Sequence, residues 1–191
     1  MRILLFLLAL AAPALVVPAL ARPGETLTLA GEARTGSDLR PVRFTFLCSA
    51  NEGPQVTGVL GLDLLVPMHD TLRAIFDFDA FEGPDAKAGA LTRLETRAEG
   101  ASVQLQSMVS GSIGVAEDQP FVFSAIAARR RDAARVAELS RLLAPVTQGA
   151  AQLIWTQGNT RAGGASIIAR LEISAADATR LRAVLEPCLG R

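Results

Sequence analysis

The chain has no tyrosine, one tryptophan, one histidine and two cysteines in its 191 residues. So few aromatic side chains leave little stacking surface for sugars or nucleobases. A lone histidine, His69, cannot complete a zinc ligand set with the two cysteines, and no C-x-x-C spacing typical of redox centres occurs. The sequence also lacks a G-x-S-x-G motif, a P-loop lysine, Rossmann glycine spacing and an EF-hand loop, so no cofactor is predicted.

The chain has no surplus of either charge, because 19 basic residues balance 19 acidic ones. Nucleic-acid binding requires a dense basic surface, so nucleic acid is not an expected partner, and a strongly anionic membrane is disfavoured for the same reason. Lys87 is the only lysine, and the chain is rich in alanine. This bias is typical of a GC-rich bacterial genome and favours a Gram-negative source.

A long apolar run without charge occupies residues 3–20, between Arg2 and the small-x-small pattern Ala19-Leu20-Ala21. These features predict a signal peptide cleaved after residue 21, followed by a single globular domain over 22–191 in the periplasm or outside the cell. The alternative is an uncleaved membrane anchor, which Pro13 and Pro18 within the run disfavour. After cleavage we expect no transmembrane segment.

Cys48 and Cys188 are the two cysteines, and an even count in an exported chain predicts one disulfide. Residues 42–48 alternate in polarity, which places Cys48 on the apolar face of a strand. Ser174 and Asp177 form a capping-box pattern before a helix whose apolar spacing includes Cys188. We therefore expect the C-terminal helix to pack across the Cys48 strand, with the bond adding roughly 4–5 kcal/mol. A redox or metal role for the cysteines is the alternative.

Period-two patterns dominate the rest of the chain and predict an α+β fold. The predicted fold is one mainly antiparallel sheet system of six to eight strands, open or sandwich-like, with two helices, the C-terminal helix packed on the sheet. Asp132 is the predicted cap of the other helix, and residues 84–97 fit either a loose helix or a loop. Predicted strands cover 26–30, 42–48, 56–66, 72–78 (as the antiparallel partner of 56–66), 103–109, 121–127 (apolar on both faces) and the hairpin 152–156 with 166–173.

Asp77 and Asp79 are the strongest chemical candidates, since on a strand their Cβ atoms would point to one side about 6.5–7 Å apart. Two such carboxylates could bind calcium or act as the acid and base of a glycoside hydrolase. The alternative is a solvated face opposite Phe76 and Phe78.

Three further features have a functional and a structural interpretation. Arg129, Arg130 and Arg131 could bind an anionic lipid or an acidic partner, or could form a solvated corner. His69 precedes Asp70 and could belong to a hydrolytic triad, or could lie in an exposed loop. Trp155 shares a face with Leu153 and belongs to the core, or anchors a partner.

The sequence contains no convergent set of histidine, nucleophile and acid. It therefore predicts a non-catalytic exported accessory or binding domain, with a protein partner or small ligand, and an enzyme is not expected. The first alternative is a calcium-dependent or carboxylate-based enzyme using Asp77 and Asp79. The second is an envelope-associated protein that uses Arg129–Arg131.

Overall fold

The structure, a computed structural model, describes residues 26–49, 58–82, 91–107, 109–113 and 119–189. The predicted signal peptide and its cleavage site lie outside the described residues. No helix within these ranges has the length and apolar content needed to span a bilayer.

The described residues form nine strands and three α-helices, whereas the sequence predicted six to eight strands and two helices. Short 3₁₀ turns follow at Asp79–Phe81 and Pro145–Thr147. The elements are β1 (Thr26–Thr35), β2 (Asp38–Ser49), β3 (Val59–Val66), α1 (Asp70–Ile75), β4 (Thr92–Ala98), β5 (Ala101–Ser107), β6 (Ser110–Ile113), β7 (Phe121–Ala128), α2 (Ala133–Leu143), β8 (Ala151–Gln157), β9 (Ile167–Ile173) and α3 (Ala175–Leu185).

All nine strands belong to one antiparallel sheet, in the order β5-β4-β8-β9-β1-β2-β3-β7-β6. The sheet is continuous and is not a sandwich. It curls, because α2 contacts both β4 and β5 at one end and β3 and β7 near the other. The rings of Phe123 on β7 and Trp155 on β8 also lie 6.5 Å apart, although four strands lie between β7 and β8 in the sheet.

The core fills the concave side of this curled sheet. Alternate residues of the strands point inward, and α2 and α3 cover them with buried leucines and valines. A cluster of phenylalanines closes the end of the core near β6 and β7; its members are Phe76, Phe78, Phe81, Phe121 and Phe123. Trp155 is fully buried beside Leu153, as predicted. The burial of this core between the sheet and the two helices is, through the hydrophobic effect, the main source of stability.

The terminal segments meet as the sequence predicted, except that α3 ends at Leu185 and Cys188 lies in the turn that follows the helix. Ser174 and Asp177 form the capping box of α3, and the helix packs on β1 and β2. The sulfurs of Cys48 and Cys188 lie 2.02 Å apart, the bonding distance of a disulfide. The predicted cap of α2 is also confirmed, since Asp132 accepts a hydrogen bond from the main-chain N–H of Arg135.

The predicted strand over 72–78 is wrong. Residues 70–75 form α1, and β7 takes the predicted place beside β3. Leu72 and Phe76 are both buried, a spacing that fits one face of a strand and also one face of a helix. Ala74, which a strand would place between them on the same face, is exposed.

Two other segments, β4 and β7, differ in part from the predictions. The prediction of a loose helix or a loop over 84–97 is wrong for residues 92–97, which belong to β4 and pair with β5 on one side and β8 on the other. Strand β7 is apolar on both faces, as predicted, but only one face is buried. The other face lies on the convex side, where Val122 and Ser124 are half-buried and Ile126 is exposed.

Candidate functional site

Asp77 and Asp79 do not share the face of a strand, because Asp77 lies in the irregular segment after α1 and Asp79 begins the 3₁₀ turn Asp79–Phe81. Both line a small cleft of about 200 Å³ together with Met68, Arg73 and Arg161. The side chain of Asp77 accepts a hydrogen bond from the Thr160 hydroxyl. The structure therefore brings the two carboxylates into one cleft, by a route that the sequence pattern did not indicate.

The loop between β8 and β9 builds one wall of this cleft by holding the end of α1. Arg161 donates through Nη1 to the carbonyl of Ala74 at 2.6 Å, and Asn159 donates through Nδ2 to the carbonyl of Ile75 at 2.8 Å. The main-chain N–H of Asp77 in turn donates to Asn159 Oδ1. The last carbonyls of a helix lack partners within the helix, so these side chains stabilise α1.

The charges in the cleft argue against a cation site. Arg73 and Arg161 face the same space as Asp77 and Asp79, so a bound cation would be repelled by two guanidinium groups. Within the described ranges, no three His, Cys, Asp or Glu side chains converge as a metal site would require. The calcium and glycosidase interpretations stay predictions without a supporting geometry.

The positions of His69 and of Arg129–Arg131 favour a structural role for each over a functional one. His69 is exposed at the start of α1, where its carbonyl accepts the N–H of Arg73. Arg129 donates through Nη2 to the carbonyl of Cys188 at 3.1 Å and so braces the segment that carries the disulfide. Arg130 also has an interaction within the protein, and Arg131 is exposed. The run is therefore partly used in holding the C-terminal segment.

A different feature stands out on the convex face of β2, β3 and β7. Cross-strand partners form rows there, and two apolar rows flank one polar row. The first apolar row is Leu47, Gly61 and Ile126, and the polar row is Thr45, Asp63 and Ser124. The second apolar row is Leu65 with Val122, and it ends at the exposed Arg43 of β2, which borders the apolar residues. We call the eight residues of these rows, without Arg43, the outer patch. Ile126 is 41% exposed, and Leu47, Leu65 and Val122 are half-buried.

Side chains within the outer patch contact one another across the sheet. A Cβ placed on Gly61 would lie 2.7 Å from Cγ1 of Ile126 and 3.4 Å from Cδ1 of Leu47. The two aliphatic side chains therefore fold over the glycine and form a continuous apolar surface. Glycine at this position permits that close approach.

Asp63 is the only charged residue that points outward from β3 or β7 in these described strands. Burial raises the pKa of its carboxyl group, and a hydrogen bond from Ser124 partly opposes that rise. Its Oδ1 is shielded from solvent and has no hydrogen-bond partner among the described residues. A shielded carboxylate oxygen without a donor is costly, which makes this row chemically distinct from an ordinary solvated surface.

The other half of the convex face is different in composition. The outward residues of β4, β8 and β9 include five charged ones: Arg93, Glu95, Arg97, Arg170 and Glu172. Glu95 and Arg97 form an ion pair there, which together with a hydrogen bond from Ser102 lowers the pKa of Glu95. Antiparallel sheets normally present such a polar face to water. The outer patch departs from this rule on the same sheet.

Sequence reasoning did not identify the outer patch as a site. One signal was available, since residues 121–127 are apolar at every position except Ser124. That pattern indicates a strand covered on both faces, and in the described structure only the concave face is covered. Leu65 and Leu47 lie beside the apolar residues of β7 because β7 pairs with β3 and β3 pairs with β2. The sequence did not predict the pairing of β7 with β3.

Comparison with protein-family models, curated proteins and solved structures finds no match to this chain.

Proposed function

We propose that this protein is a non-catalytic, exported binding domain whose outer patch docks on another protein. The observation that carries the proposal is the contrast between the two halves of the convex face. Strands β3 and β7 present aliphatic side chains with one charge, Asp63, and the exposed Arg43 of β2 borders them, whereas the other half carries five charged side chains. Contiguous apolar surface exposed on a folded domain commonly marks an interaction site.

The composition of the outer patch also indicates the chemistry that a partner surface would need. Two aliphatic rows require an apolar complementary surface, and the polar row between them offers Asp63, Thr45 and Ser124 as hydrogen-bonding groups. The carboxylate favours a donor such as a serine, asparagine or lysine side chain on the partner. Partial burial of Asp63 strengthens such a hydrogen bond relative to one in water.

Export to the periplasm of a Gram-negative bacterium is part of the same proposal. The apolar leader, the arginine-rich and lysine-poor composition and the disulfide together support it. An oxidising compartment is where such a bond forms and persists.

The proposal is tested by placing a photo-crosslinking amino acid at Ile126, with Ile168 as the control position. Ile168 is half-buried and points outward from β9 on the ionic half of the same face. We expect a discrete adduct with an envelope protein from position 126, and none from position 168. Equal labelling from both positions, or none from 126, would overturn the proposal.

A matched pair of substitutions checks that the adduct reflects binding. Ile126→Lys should abolish partner capture, while Ile168→Lys should leave it unchanged, because only the first introduces a charge into the apolar rows. Both sites are at least partly solvent-accessible, so both variants should melt within a few degrees of wild type. Capture that survives Ile126→Lys would contradict the assignment of this face.

A further inference from the structure

The first strand of the sheet, β5, pairs with β4 on one side, and no second strand within the described ranges pairs with it on the other side. The opposite end of the sheet is protected, because β6 has four residues and its Gly111 is bridged by Glu82. Natural sheets protect their edges with proline, charge, bulges or short strands. Strand β5 has seven residues, ASVQLQS, and contains neither proline nor charge.

The hairpin geometry determines which backbone groups of β5 point outward. Strands β4 and β5 are joined by Glu99 and Gly100, whose φ angles of 45° and 79° are those of a two-residue type I′ turn. The residues flanking such a turn form a hydrogen-bonded pair, and these pairs recur at every second position. Val103 therefore bonds to β4, whereas Ser102 and Gln104 direct their N–H and C=O groups away from it.

The side-chain order of β5 is self-complementary about Gln104. In an antiparallel pairing of two copies centred on that residue, Val103 of one copy lies opposite Leu105 of the other, and Ser102 lies opposite Gln106. Apolar residues then meet apolar residues on the concave side, and polar residues meet polar residues on the convex side. No like charges are opposed, which is the usual penalty in such a pairing.

The core is also only partly covered at the β5 edge. Val103 and Leu105 are only half-buried although they pack against the core, and α2 lies beside β5 on the same side. A second copy would cover both side chains with the equivalent residues of its own β5. Burial of apolar area would then add to the new backbone hydrogen bonds.

We propose that two copies of this chain pair through β5 in an antiparallel, two-fold symmetric dimer with one sheet continuous across the interface. The pairing is isologous, so it uses the same β5 edge of both copies and closes at the dimer. Gln104 of each copy donates its main-chain N–H to the carbonyl of Gln104 in the other. The outer patch lies on a different part of the sheet, so either site can fail without the other.

Sedimentation equilibrium of the full exported chain tests this inference, with Gln104→Pro as the principal variant. Proline removes the outward N–H and leaves the bonds to β4 in place, and edge strands tolerate it. The wild type should show a monomer–dimer equilibrium, and the variant should dimerise at least about tenfold more weakly, or by about 1.4 kcal/mol. Gln104→Ala is the matched control, since it keeps the N–H and should retain most of the dimer.

A second variant and a local measurement guard against misfolding of Gln104→Pro. Gln104→Lys places two like charges opposite each other at the symmetry axis and should also weaken the dimer, without any change to the backbone. In wild type, hydrogen exchange at the Ser102 and Gln104 amides should slow as the protein concentration rises. A chain that stays monomeric, or a dimer that neither Gln104→Pro nor Gln104→Lys weakens, would overturn the inference.

Discussion

The disulfide between Cys48 and Cys188 should be the largest single covalent contribution to the stability of this protein. Its two residues are 140 positions apart, so in the unfolded chain the bond closes a very long loop. The chain-entropy relation for a loop of that length gives about 5 kcal/mol at 25 °C, and measured values fall below the relation more often than above it. We therefore expect a loss of about 3–5 kcal/mol when the bond is absent.

The folded state itself should change little without the bond. Leu181 and Leu185 of α3 are fully buried, and Arg129 and Arg182 hold the neighbouring carbonyls of Cys188 and Thr147. The helix thus remains docked by contacts that do not need the sulfurs. The stability change then arises mainly in the unfolded ensemble, which the bond makes more compact.

Urea unfolding of the oxidised protein and of the same protein reduced by thiol gives the cleanest comparison, because no side chain is altered. We expect the midpoint to fall with reduction, and the melting temperature to drop by roughly 10 °C. Cys48→Ala, Cys188→Ala and the double variant should lose similar free energies, since each removes the same bond. Equal urea midpoints for the oxidised and reduced protein would refute the reasoning.

Four other perturbations test separate parts of the structure. Asp63→Asn should gain stability relative to wild type as pH rises from about 3 to 7, measured by urea midpoints. Burial raises the pKa of Asp63 in the folded state above its value in the unfolded chain, so the protonated carboxyl group favours folding. This contribution is complete below the unfolded-state pKa and is lost as pH rises through the folded-state pKa. A stability difference between variant and wild type that does not change with pH would contradict this. Gly111→Ala should cost about 1–3 kcal/mol, because its Cβ would lie 2.4 Å from a phenylalanine ring atom and 2.8 Å from a backbone oxygen. Gly149→Ala, with no atom within 4 Å of the new Cβ, should be close to neutral, and equal losses at both sites would show the packing to be wrong. Asn159→Ala should speed hydrogen exchange in α1 and leave α2 unchanged, because it removes the donor to the last carbonyl of α1; uniform behaviour of the two helices would refute that role. Added calcium should leave the melting temperature unchanged, and a rise that Asp77→Asn abolishes would restore the metal prediction.

Strong local periodicity explains which parts of the fold could be predicted from the sequence. Alternation over 42–48, the capping box at Ser174 and the apolar runs on either side of the 157–164 loop each fit one kind of element. Segments with such unambiguous patterns formed the predicted structures, namely β2, α3 and the β8–β9 hairpin. The pairing of the cysteines was predicted from the same patterns and from their even count, although Cys188 lies buried in the turn after α3 and not on the helix itself.

The candidate sites were less predictable, because their chemistry depends on neighbours that are remote in sequence. Asp77 and Asp79 could be recognised as acidic, but Thr160 and Arg161 reach them from the β8–β9 loop. The arginines of 129–131 could be recognised as basic, but the use of Arg129 depends on the position of Cys188. The outer patch required the register of three strands, two of which are adjacent only because a long connection returns β7 to β3.

The sequence by itself determined the sheet-rich class of this protein, the inward faces of its main strands and the two helices with clear caps. These properties follow from hydrophobic spacing and local hydrogen bonds within a few residues. Only the tertiary structure decided that residues 70–75 are helical, because Leu72 and Phe76 fit both periods and remote side chains hold the helix end. It also decided that the described part of the chain covers only one apolar face of β7 and leaves Ile126 exposed on the other, because exposure depends on which other elements pack against a strand.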